Sequence, residues 1–414
     1  MAPLRTLRSV VRLRRFETDP LRRRLSRAAS VADLRRLARR RLPGGVFDYI
    51  DGAAEDERTL AANLTAFSTV GFRPRILRGV AKVETEGPIL GRASAYPLVL
   101  APTGFTRVAH PEGELAVARA AARAGIPYTL STLATRSIEE VRAVSAGRLW
   151  FQVYAWRDRG LVKEMVERAS GAGYEALVLT VDTAVLGRRE RDVRRGFSLP
   201  PAIGPRTIID GALHPGWTWS LLRSEPIRFA NVTGREVGDG SSPVTLSDYI
   251  NTQFDPALCW ADVDWLRSVW NGPILLKGVQ TVADAVLAAD AGVEAVVLSN
   301  HGGRQLDGAP APFPLVAPVV DAVGGRTEVI CDGGVRRGSD IVKVLAAGAT
   351  AAMAGRAYLY GLGAAGELGV DRVLEWFRAD MVRVMSLLGA TSVSDLDRDL
   401  LDPAPAVIPL GGIR

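Results

Sequence analysis

The most regular pattern in the chain is an alternation of short apolar runs with alanine-rich segments from about residue 97 onward. Eight runs, rich in β-branched residues, have the length of buried strands: 97–105, 127–132, 149–154, 176–182, 273–279, 295–302, 327–334 and 351–356. Helical periodicity lies between them, at 113–125, 161–173, 282–292 and 339–349 among others. Eight βα repeats predict an α/β fold, a (β/α)8 TIM barrel, where a doubly wound sheet would usually have fewer strands.

Polar and small residues gather where the apolar runs end. They include Thr103, Ser131, Gln152, Tyr154, Thr180, Asp182, Lys277, His301, Asp332, Gly355 and Arg356. In a barrel of this kind the carboxyl ends of the strands form the catalytic face. We therefore expect these side chains to surround one site.

One connection is too long for a simple βα link. Residues 196–256, after the fourth run, contain Pro200, Pro201, Trp217, Trp219 and the patch GDGSSP. Three interpretations are open: a lid over the barrel mouth, a disordered stretch, or a segment that touches a membrane through its Trp and Leu residues.

Composition narrows the class of protein. The chain has 414 residues, 47% of them hydrophobic, and its two cysteines, Cys259 and Cys331, lack the spacing of a disulfide framework or a metal site. It has no long apolar run and no secretory signal, so we expect a cytoplasmic enzyme without a membrane span. We expect a basic arm at 1–40 with a helical extension, a barrel domain at 41–400 and a tail at 401–414.

The net charge of +7 is concentrated at the amino terminus. Residues 1–40 hold 13 arginines against Glu17, Asp19 and Asp33, so the remaining chain has a small negative net charge. That distribution argues against a nucleic-acid-binding surface. The arm is interpreted either as a solvated, partly disordered tail or as a segment drawn to anionic lipid at the inner face of the cell membrane.

The stretch SNHGGRQLDGAP, residues 299–310, carries the strongest chemistry. It follows the sixth run and places His301 three residues before Arg304, whereas Asp182 and Arg189 follow the fourth run. A polar Gly-Gly turn is the structural interpretation. Two arginines from different loops, however, suit a small carboxylate, and an imidazole beside them suits a general base whose imidazolium Asp182 stabilises.

Two further corners suit a phosphate group. DGGVRRGSD after the seventh run supplies the backbone of Gly334 and the cation of Arg336, and it leads into a helix N-terminus. Gly355 and Arg356 follow the eighth run, and the loops after strands seven and eight are the usual phosphate site of a barrel. Lys277, one of only four lysines, ends the fifth run, where a buried cation needs an anion or a ligand.

These motifs, together with FDYIDGAAEDE, APTGFTR, LSTLAT and GRAYLYGL, resemble the FMN-dependent α-hydroxy acid dehydrogenases and oxidases. The resemblance runs from about Phe47 to about Leu400 and is strongest to bacterial L-lactate dehydrogenases of the cytochrome or quinone type. It implies a flavoenzyme that binds FMN and oxidises an (S)-2-hydroxy acid, with L-lactate to pyruvate as the expected reaction. It also implies a homotetramer whose electrons pass to a quinone or cytochrome, or to O2 in an oxidase.

The resemblance implies a role for each candidate residue. Tyr49, Arg189 and Arg304 would bind the substrate carboxylate. Tyr154 would bind the hydroxyl group, and His301 would be the base with Asp182 as its partner. The residues expected to line the flavin are Pro102, Thr103, Gly104, Ser131, Gln152, Thr180 and Lys277. Those expected at its ribityl phosphate end are Asp332, Gly334, Arg336, Gly355 and Arg356.

Three positions depart from the family pattern. Ala184 stands where a proline is common, which affects loop stiffness. Leu133 stands where glycolate oxidase has a tryptophan, so the pocket wall is aliphatic and the preferred side chain of the acid is open. Gly104 stands beside the flavin where several members have alanine, which bears on oxygen reactivity. An oxidase acting on a larger aryl, branched or peptide-bound acid in a biosynthetic pathway is therefore the alternative.

Overall fold

The computed structural model describes residues 17–195, 204–232 and 252–402. The first part of the predicted arm, the Pro200-Pro201 and GDGSSP stretches of the insertion and residues 403–414 of the predicted tail lie outside the described residues.

A closed barrel of eight parallel strands forms the centre of the described structure. The strands are β1 Leu98–Leu100, β2 Tyr128–Ser131, β3 Leu149–Tyr154, β4 Ala176–Thr180, β5 Ile274–Val279, β6 Ala295–Leu298, β7 Glu328–Asp332 and β8 Ala351–Ala354. Each strand pairs with its neighbours in chain order, and β8 pairs with β1 to close the barrel. Every strand lies within one predicted apolar run, which confirms the (β/α)8 fold.

Helices surround the barrel and extend it at both ends of the chain. They are α1 Pro20–Leu25, α2 Val31–Arg41, α3 Gly44–Asp51, α4 Arg58–Ser68, α5 Gly113–Ala124, α6 Ile138–Val144, α7 Arg159–Gly171, α8 Glu190–Arg195, α9 Pro205–Leu213, α10 Pro215–Leu222, α11 Ala261–Val269, α12 Val282–Asp290, α13 Val316–Val323, α14 Gly338–Ala346, α15 Arg356–Ala365 and α16 Glu367–Leu388. Short 3-10 helices lie at Thr106–Val108, Phe313–Leu315, Val393–Asp395 and Arg398–Leu400. The four predicted helices correspond to α5, α7, α12 and α14.

The amino-terminal end of the barrel is plugged, which leaves the carboxyl end for ligands. A hairpin of two short strands, Gly87–Ile89 and Arg92–Ser94, covers that end, and Ile89 is fully buried against the interior side chains of the barrel. At the start of β3, Arg148 donates a hydrogen bond to the Ile89 carbonyl (2.9 Å). The interior is thus a packed core, as expected for this fold.

The predicted domain boundaries fall inside ordered structure. Helix α2 spans the boundary at residue 40 and packs its buried face, including Leu34 and Ala38, against the barrel helix α15. At the other end, Leu401–Asp402 forms an antiparallel pair with Gly71–Phe72. The last part of the arm therefore packs on a barrel helix, and the first residues of the tail pair with Gly71–Phe72.

The described parts of the long insertion pack on the loops at the carboxyl ends of β1 to β3. Trp217 in α10 donates to the Val108 carbonyl (2.8 Å), and Phe229 packs edge-on against Phe105. Phe254 pairs with Trp156 in a β-bridge just after β3. The described parts of the insertion therefore cover part of the rim at the carboxyl end of the barrel.

Candidate active site

His301 and Asp182 form a hydrogen-bonded pair at the carboxyl ends of β6 and β4. His301 Nδ1 lies 2.9 Å from Asp182 Oδ1, and the backbone of His301 has a left-handed φ of 57°. Few non-glycine residues adopt this conformation, and it is enriched at functional sites. If Nδ1 carries the proton donated to Asp182, the lone pair of Nε2 is free to accept a proton from a substrate.

The carboxylate of Asp182 is buried, and its pKa is nevertheless low. Burial alone would raise the pKa, but the charge and hydrogen bond of His301 and the charge of Lys277 lower it below its ordinary value. Gly278 makes room for this carboxylate: it sits at a bulge in β5 with φ 111°, and a Cβ there would lie 2.7 Å from the Asp182 Cβ. Asp182 is thus an ionised partner that would stabilise a protonated His301.

Two arginine side chains converge on Tyr49. The guanidinium carbons of Arg304 and Arg189 lie 5.2 and 5.4 Å from the centre of the Tyr49 ring. Arg304 donates to the carbonyls of Tyr49 (2.7 Å) and Gly52 (3.0 Å). Burial and the positive charges of Arg189 and Arg356 lower the pKa of Arg304 to about 9. A carboxylate placed here would relieve this repulsion, so the site favours a small anion.

Helix α3, which carries Tyr49, is anchored through the side chain of Asp51. Asp51 bonds Arg35 (2.5 and 2.7 Å), Arg191 (3.0 Å) and the Tyr360 hydroxyl (2.7 Å). Burial would raise the pKa of Asp51, but these partners lower it to about 2. The network fixes the end of α3, and with it Tyr49, relative to the barrel.

Tyr154 ends β3 and is close to the same group of residues. Its ring packs edge-on against Phe254, with the ring centres 5.1 Å apart. Burial, and then the negative charge of Asp182, raise the pKa of its phenol. The hydroxyl therefore stays protonated at neutral pH, and it can hydrogen-bond a substrate oxygen. The structure thus brings together the predicted catalytic and substrate-binding residues, which are Tyr49, Tyr154, Asp182, Arg189, His301 and Arg304.

Lys277 lies in a buried network beneath this group. Its Nζ is 3.0 Å from Ser299 Oγ and 3.2 Å from Asp332 Oδ2, and Ser299 in turn donates to Asp332 (2.7 Å). Lys277 is 3% exposed. A lysine has three donors and the described residues satisfy two, so one remains for a ligand. Asp332, predicted at the phosphate end of the flavin, is placed by this pairing beside Lys277.

Gln152 bears on whether the residues at the ends of β2 and β3 fit a flavin. Its Oε1 accepts hydrogen bonds from Ser131 Oγ (3.0 Å) and the Thr132 amide (3.3 Å), whereas its Nε2 is buried and has no partner among the described residues. An unpaired buried donor costs about 1–3 kcal/mol. The oxygens and nitrogens of a flavin pyrimidine ring would satisfy this amide and the free donor of Lys277, so the residues fit FMN. Thr180 lies buried at the end of β4, on the next strand.

The loop after β1 supplies the other predicted flavin contacts. Thr103 Oγ1 lies 2.6 Å from the Tyr358 hydroxyl, and Tyr358 also donates to the Ala101 carbonyl (2.8 Å). A methyl group on Gly104 would approach the Leu133 Cβ to 3.0 Å. It would also lie 3.3 Å from the Leu133 carbonyl oxygen, so the loop of Pro102, Thr103 and Gly104 packs closely on the chain at Leu133.

The predicted phosphate corner combines two helix N-termini. Helix α14 begins at Gly338, just after Arg336, and α15 begins at Arg356. Gly334 has φ 87°, and a Cβ there would lie 2.2 Å from the Asn63 carbonyl oxygen, so only glycine fits. Peptide N–H groups at such ends bind phosphate. The backbone of Gly355 has more room, because a Cβ there would meet its nearest neighbour at an ordinary 3.6 Å.

Arg356 differs from the expectation of a side-chain phosphate ligand. Its guanidinium donates to the carbonyls of Ile50 (3.0 Å), Gly302 (2.7 Å) and Gly52 (2.7 Å). These bonds tie α3 to the His301 loop. Arg356 would therefore contribute to a phosphate site through its backbone N–H, and Arg336 is the side chain left for that role.

Two residues of the SNHGGRQLDGAP stretch were not assigned a catalytic role and act as braces. Gln305 donates to the carbonyls of Asp182 (2.8 Å) and Val185 (2.9 Å) and accepts from the Gly187 amide (3.0 Å). Asp307 accepts from the amide of Thr59 (2.8 Å) and so caps α4. The role of Asp307 agrees with the interpretation of this stretch as a polar turn. Gln305 links two loops that are far apart in sequence, and no local sequence pattern indicates that link.

Comparison with known proteins assigns the family. The model of the FMN-dependent dehydrogenase family matches residues 38–403. The chain therefore belongs to this family, and it is an FMN-dependent oxidoreductase that acts on 2-hydroxy acids.

Individual relatives refine the class. L-lactate dehydrogenase of Caulobacter vibrioides is 42% identical over 374 residues, which cover 90% of this chain and 97% of that protein. A Mycobacterium tuberculosis protein, provisionally named an L-lactate dehydrogenase, is 47% identical over 394 residues, 95% of this chain and 94% of that protein. A crystal structure of the monotopic membrane protein (S)-mandelate dehydrogenase is 40% identical, with a TM-score of 0.87, and covers 91% of this chain and 100% of its own.

Proposed function

We propose that the protein oxidises L-lactate to pyruvate and passes the electrons to a quinone or a cytochrome. The observation that carries the proposal is the convergence of the His301–Asp182 pair with two arginines on Tyr49. The relatives named L-lactate dehydrogenase support lactate as the acid.

The roles of the side chains follow from their positions. Arg189, Arg304 and the Tyr49 hydroxyl bind the carboxylate, which orients the carbon to be oxidised. Tyr154 hydrogen-bonds the substrate hydroxyl. Oxidation of the alcohol to a ketone removes two protons and two electrons. His301 takes one proton, and Asp182 stabilises the resulting imidazolium, whereas the second proton and the electron pair would go to the bound cofactor.

FMN, when bound, supplies the two-electron acceptor. Gln152, Ser131, Thr180 and Lys277 would hold its pyrimidine side, and the Lys277 cation would favour negative charge there. The loop of Pro102, Thr103 and Gly104 would line the ring. The backbone of Gly334, Gly355 and Arg356, with the Arg336 side chain, would hold the phosphate, and Asp332 would position Lys277.

A membrane-bound acceptor is consistent with an apolar surface on the insertion. Ile209, Leu213, Trp219 and Leu222 are each more than half exposed, although all are large and apolar. Within the described residues, no helix has both the length and the apolar character needed to cross a bilayer. Peripheral contact with the inner face of the cell membrane is therefore part of the proposal, and the similar (S)-mandelate dehydrogenase is itself monotopic. We also propose a homotetramer.

An aryl 2-hydroxy acid is the second candidate substrate. It is favoured by the likeness to (S)-mandelate dehydrogenase and to a mutant of mandelate oxidase with (S)-mandelic acid. The latter is 40% identical, covers 91% of this chain and has a TM-score of 0.76. Leu133, partly buried beside Gly104, is the side chain that we expect to discriminate between a methyl and a phenyl group.

The test is anaerobic reduction of the flavin by a panel of hydroxy acids. We expect L-lactate to bleach the flavin absorbance faster than (S)-mandelate or D-lactate, and the reduced protein to pass electrons to a quinone analogue much faster than to O2. Faster bleaching by (S)-mandelate would overturn lactate as the substrate. Rapid peroxide formation with slow quinone reduction would replace the dehydrogenase assignment with an oxidase.

A further inference from the structure

The described part of the basic arm places exposed arginines on helices α1 and α2. Helix α2 buries Val31, Leu34 and Ala38 against the barrel, and Arg36 and Arg40 lie on the opposite, exposed face. Arg23, Arg24, Arg27 and Arg40 are exposed and form no ion pair within the described residues. Their charge is therefore available to an outside partner.

This basic face adjoins the helices of the insertion. Arg41, the last residue of α2, donates to the carbonyls of Gly363 (2.9 Å) and Ala109 (3.4 Å). Trp217 in α10 donates to the neighbouring carbonyl, that of Val108. Burial, and then the nearby charge of Arg24, lower the pKa of Arg41, so α1 is close to the same point.

A second contact joins the two elements. The Gly44 amide, at the start of α3, donates to Asp210 in α9 (2.7 Å). Helices α3 and α9 are thus joined at a point three residues after Arg41, where α2 ends. The carboxyl end of α2, which carries Arg40, therefore neighbours the insertion helices.

The adjoining surface of the insertion is apolar at its centre and cationic at its edge. Leu213 and Leu222 are each 73% exposed, and Trp219 is 58% exposed. The Arg223 guanidinium lies 4.2 Å from the centre of the Trp219 ring. Exposed Trp and Leu flanked by arginine is the composition of a surface that sits at the boundary between headgroups and acyl chains.

We infer that the exposed arginines of α1 and α2 make membrane docking selective for anionic lipid headgroups. The inference rests on the proposed membrane contact of the insertion and adds a partner of defined charge to it. The apolar side chains of α9 and α10 would enter the bilayer surface, and Arg23, Arg24, Arg27 and Arg40 would lie against the headgroup phosphates beside them. Residues 1–16, shortly before α1, add five more arginines in sequence.

The test compares vesicle binding of the full-length, FMN-loaded protein with that of two matched double variants. One carries Arg24→Gln with Arg40→Gln. The control carries Arg326→Gln with Arg383→Gln, two exposed arginines that lie before β7 and on α16. Both variants lose the same charge. Binding is measured by co-sedimentation with vesicles of phosphatidylcholine alone and of phosphatidylcholine mixed with phosphatidylglycerol, at low and high salt.

We expect wild type to bind the anionic vesicles more tightly than the neutral ones, with the difference reduced by salt. Each arginine near an anionic surface contributes roughly fivefold in affinity, so Arg24→Gln with Arg40→Gln should lose about 25-fold on anionic vesicles and little on neutral ones. The control variant should lose much less. Lactate turnover in solution should be unchanged in both.

Three outcomes would overturn the inference. Equal losses in the two variants would make the effect one of net charge. Equal binding of wild type to both vesicle types would remove lipid selectivity while leaving the membrane contact in place. The third outcome is that the protein binds neither vesicle type, while the double variant Trp219→Ser with Leu222→Ser has a different assembly mass by light scattering. That result would assign the surface to contact with a second copy of the chain, and it would remove the membrane contact as well.

Discussion

Two regions of the molecule hold a histidine, acidic groups and arginines close together, but only one has the charge balance of an active site. At the barrel mouth, Arg304 and Arg356 are bonded to backbone carbonyls, and their charges stay uncompensated. At the outer junction near His110, Arg119 pairs with Glu112 and Glu367, and Arg123 pairs with Glu367 and Asp371.

The difference shows what converts a cluster of charged residues into a binding site. In the outer junction each of these arginines already has a carboxylate, so nothing is left for a ligand, and the His110 ring is partly buried beside Gly366. At the mouth, Arg304 and Arg356 have no carboxylate at ion-pair distance among the described residues, although Arg189 lies 3.5 Å from Asp192. His301 keeps one ring nitrogen for chemistry. A substrate acid completes the charge balance there.

The largest expected effect comes from the two histidines. His301→Gln, and His301→Asn as a second variant that tolerates the left-handed backbone, should slow flavin reduction by L-lactate by roughly 10³-fold while FMN stays bound. His110→Gln should leave the reduction rate near that of wild type. The rates are measured by anaerobic stopped flow and FMN content by absorbance after gel filtration. Equal rates in the His301 and His110 variants would refute the comparison.

A smaller loss is expected from the arginines. Arg304→Gln removes a cation that binds the carboxylate and should lower kcat/KM for L-lactate by about 10²-fold, mostly through KM. Arg119→Gln, in the outer junction, should change kcat/KM less than twofold, because its charge faces Glu112 and Glu367 rather than substrate. Steady-state kinetics with a quinone analogue measures both. A large loss in Arg119→Gln would show that charge in general, and not its position, governs binding.

His110 should instead govern stability at acid pH. Burial, and then the charge of Arg41, lower the pKa of His110 to about 4, below its unfolded value near 6.5. Between these two pH values the unfolded state therefore binds more protons than the folded state. The free energy of unfolding should fall by up to about 3 kcal/mol as the pH drops through this range. The free energy of unfolding in urea, measured from pH 7 to pH 4, should fall more steeply in wild type than in His110→Gln. Parallel pH dependences would remove His110 as the cause.

The smallest effect concerns the brace of the catalytic stretch. Asp307→Ala removes the cap of α4 and should lower the free energy of unfolding by about 1 kcal/mol. Asp307→Asn, which keeps an acceptor, should lose less. Thermal unfolding measures both, and a loss of flavin reduction without a loss of stability would contradict a purely bracing role.

Much of the fold could be predicted because the eight strands are short, buried and β-branched. All eight lie where the apolar runs are, but the runs continue past the strands, since Thr103, Asp182 and His301 belong to the loops that follow. The pairing of Gly71–Phe72 with Leu401–Asp402 was not predictable, because two-residue strands leave no periodicity.

The site residues were predictable as a group, and their individual partners were not. His301, Asp182, Lys277 and Tyr154 could be predicted as site residues because each lies where an apolar run ends. The occupation of Arg356 by three carbonyls, and the bridge that Gln305 makes to the Asp182 loop, depend on contacts between segments over 50 residues apart. No local sequence pattern carries such information.

The most direct test of the account uses one substrate and its uncharged analogue. FMN-loaded protein is mixed anaerobically with L-lactate or with L-lactamide, which keeps the hydroxyl and lacks the carboxylate, and the flavin absorbance is followed. If Arg189 and Arg304 bind the carboxylate and His301 takes the proton, L-lactate bleaches the flavin rapidly and L-lactamide bleaches it at least about 10²-fold more slowly at equal concentration. Equal bleaching by the two compounds, or none by L-lactate, would contradict it.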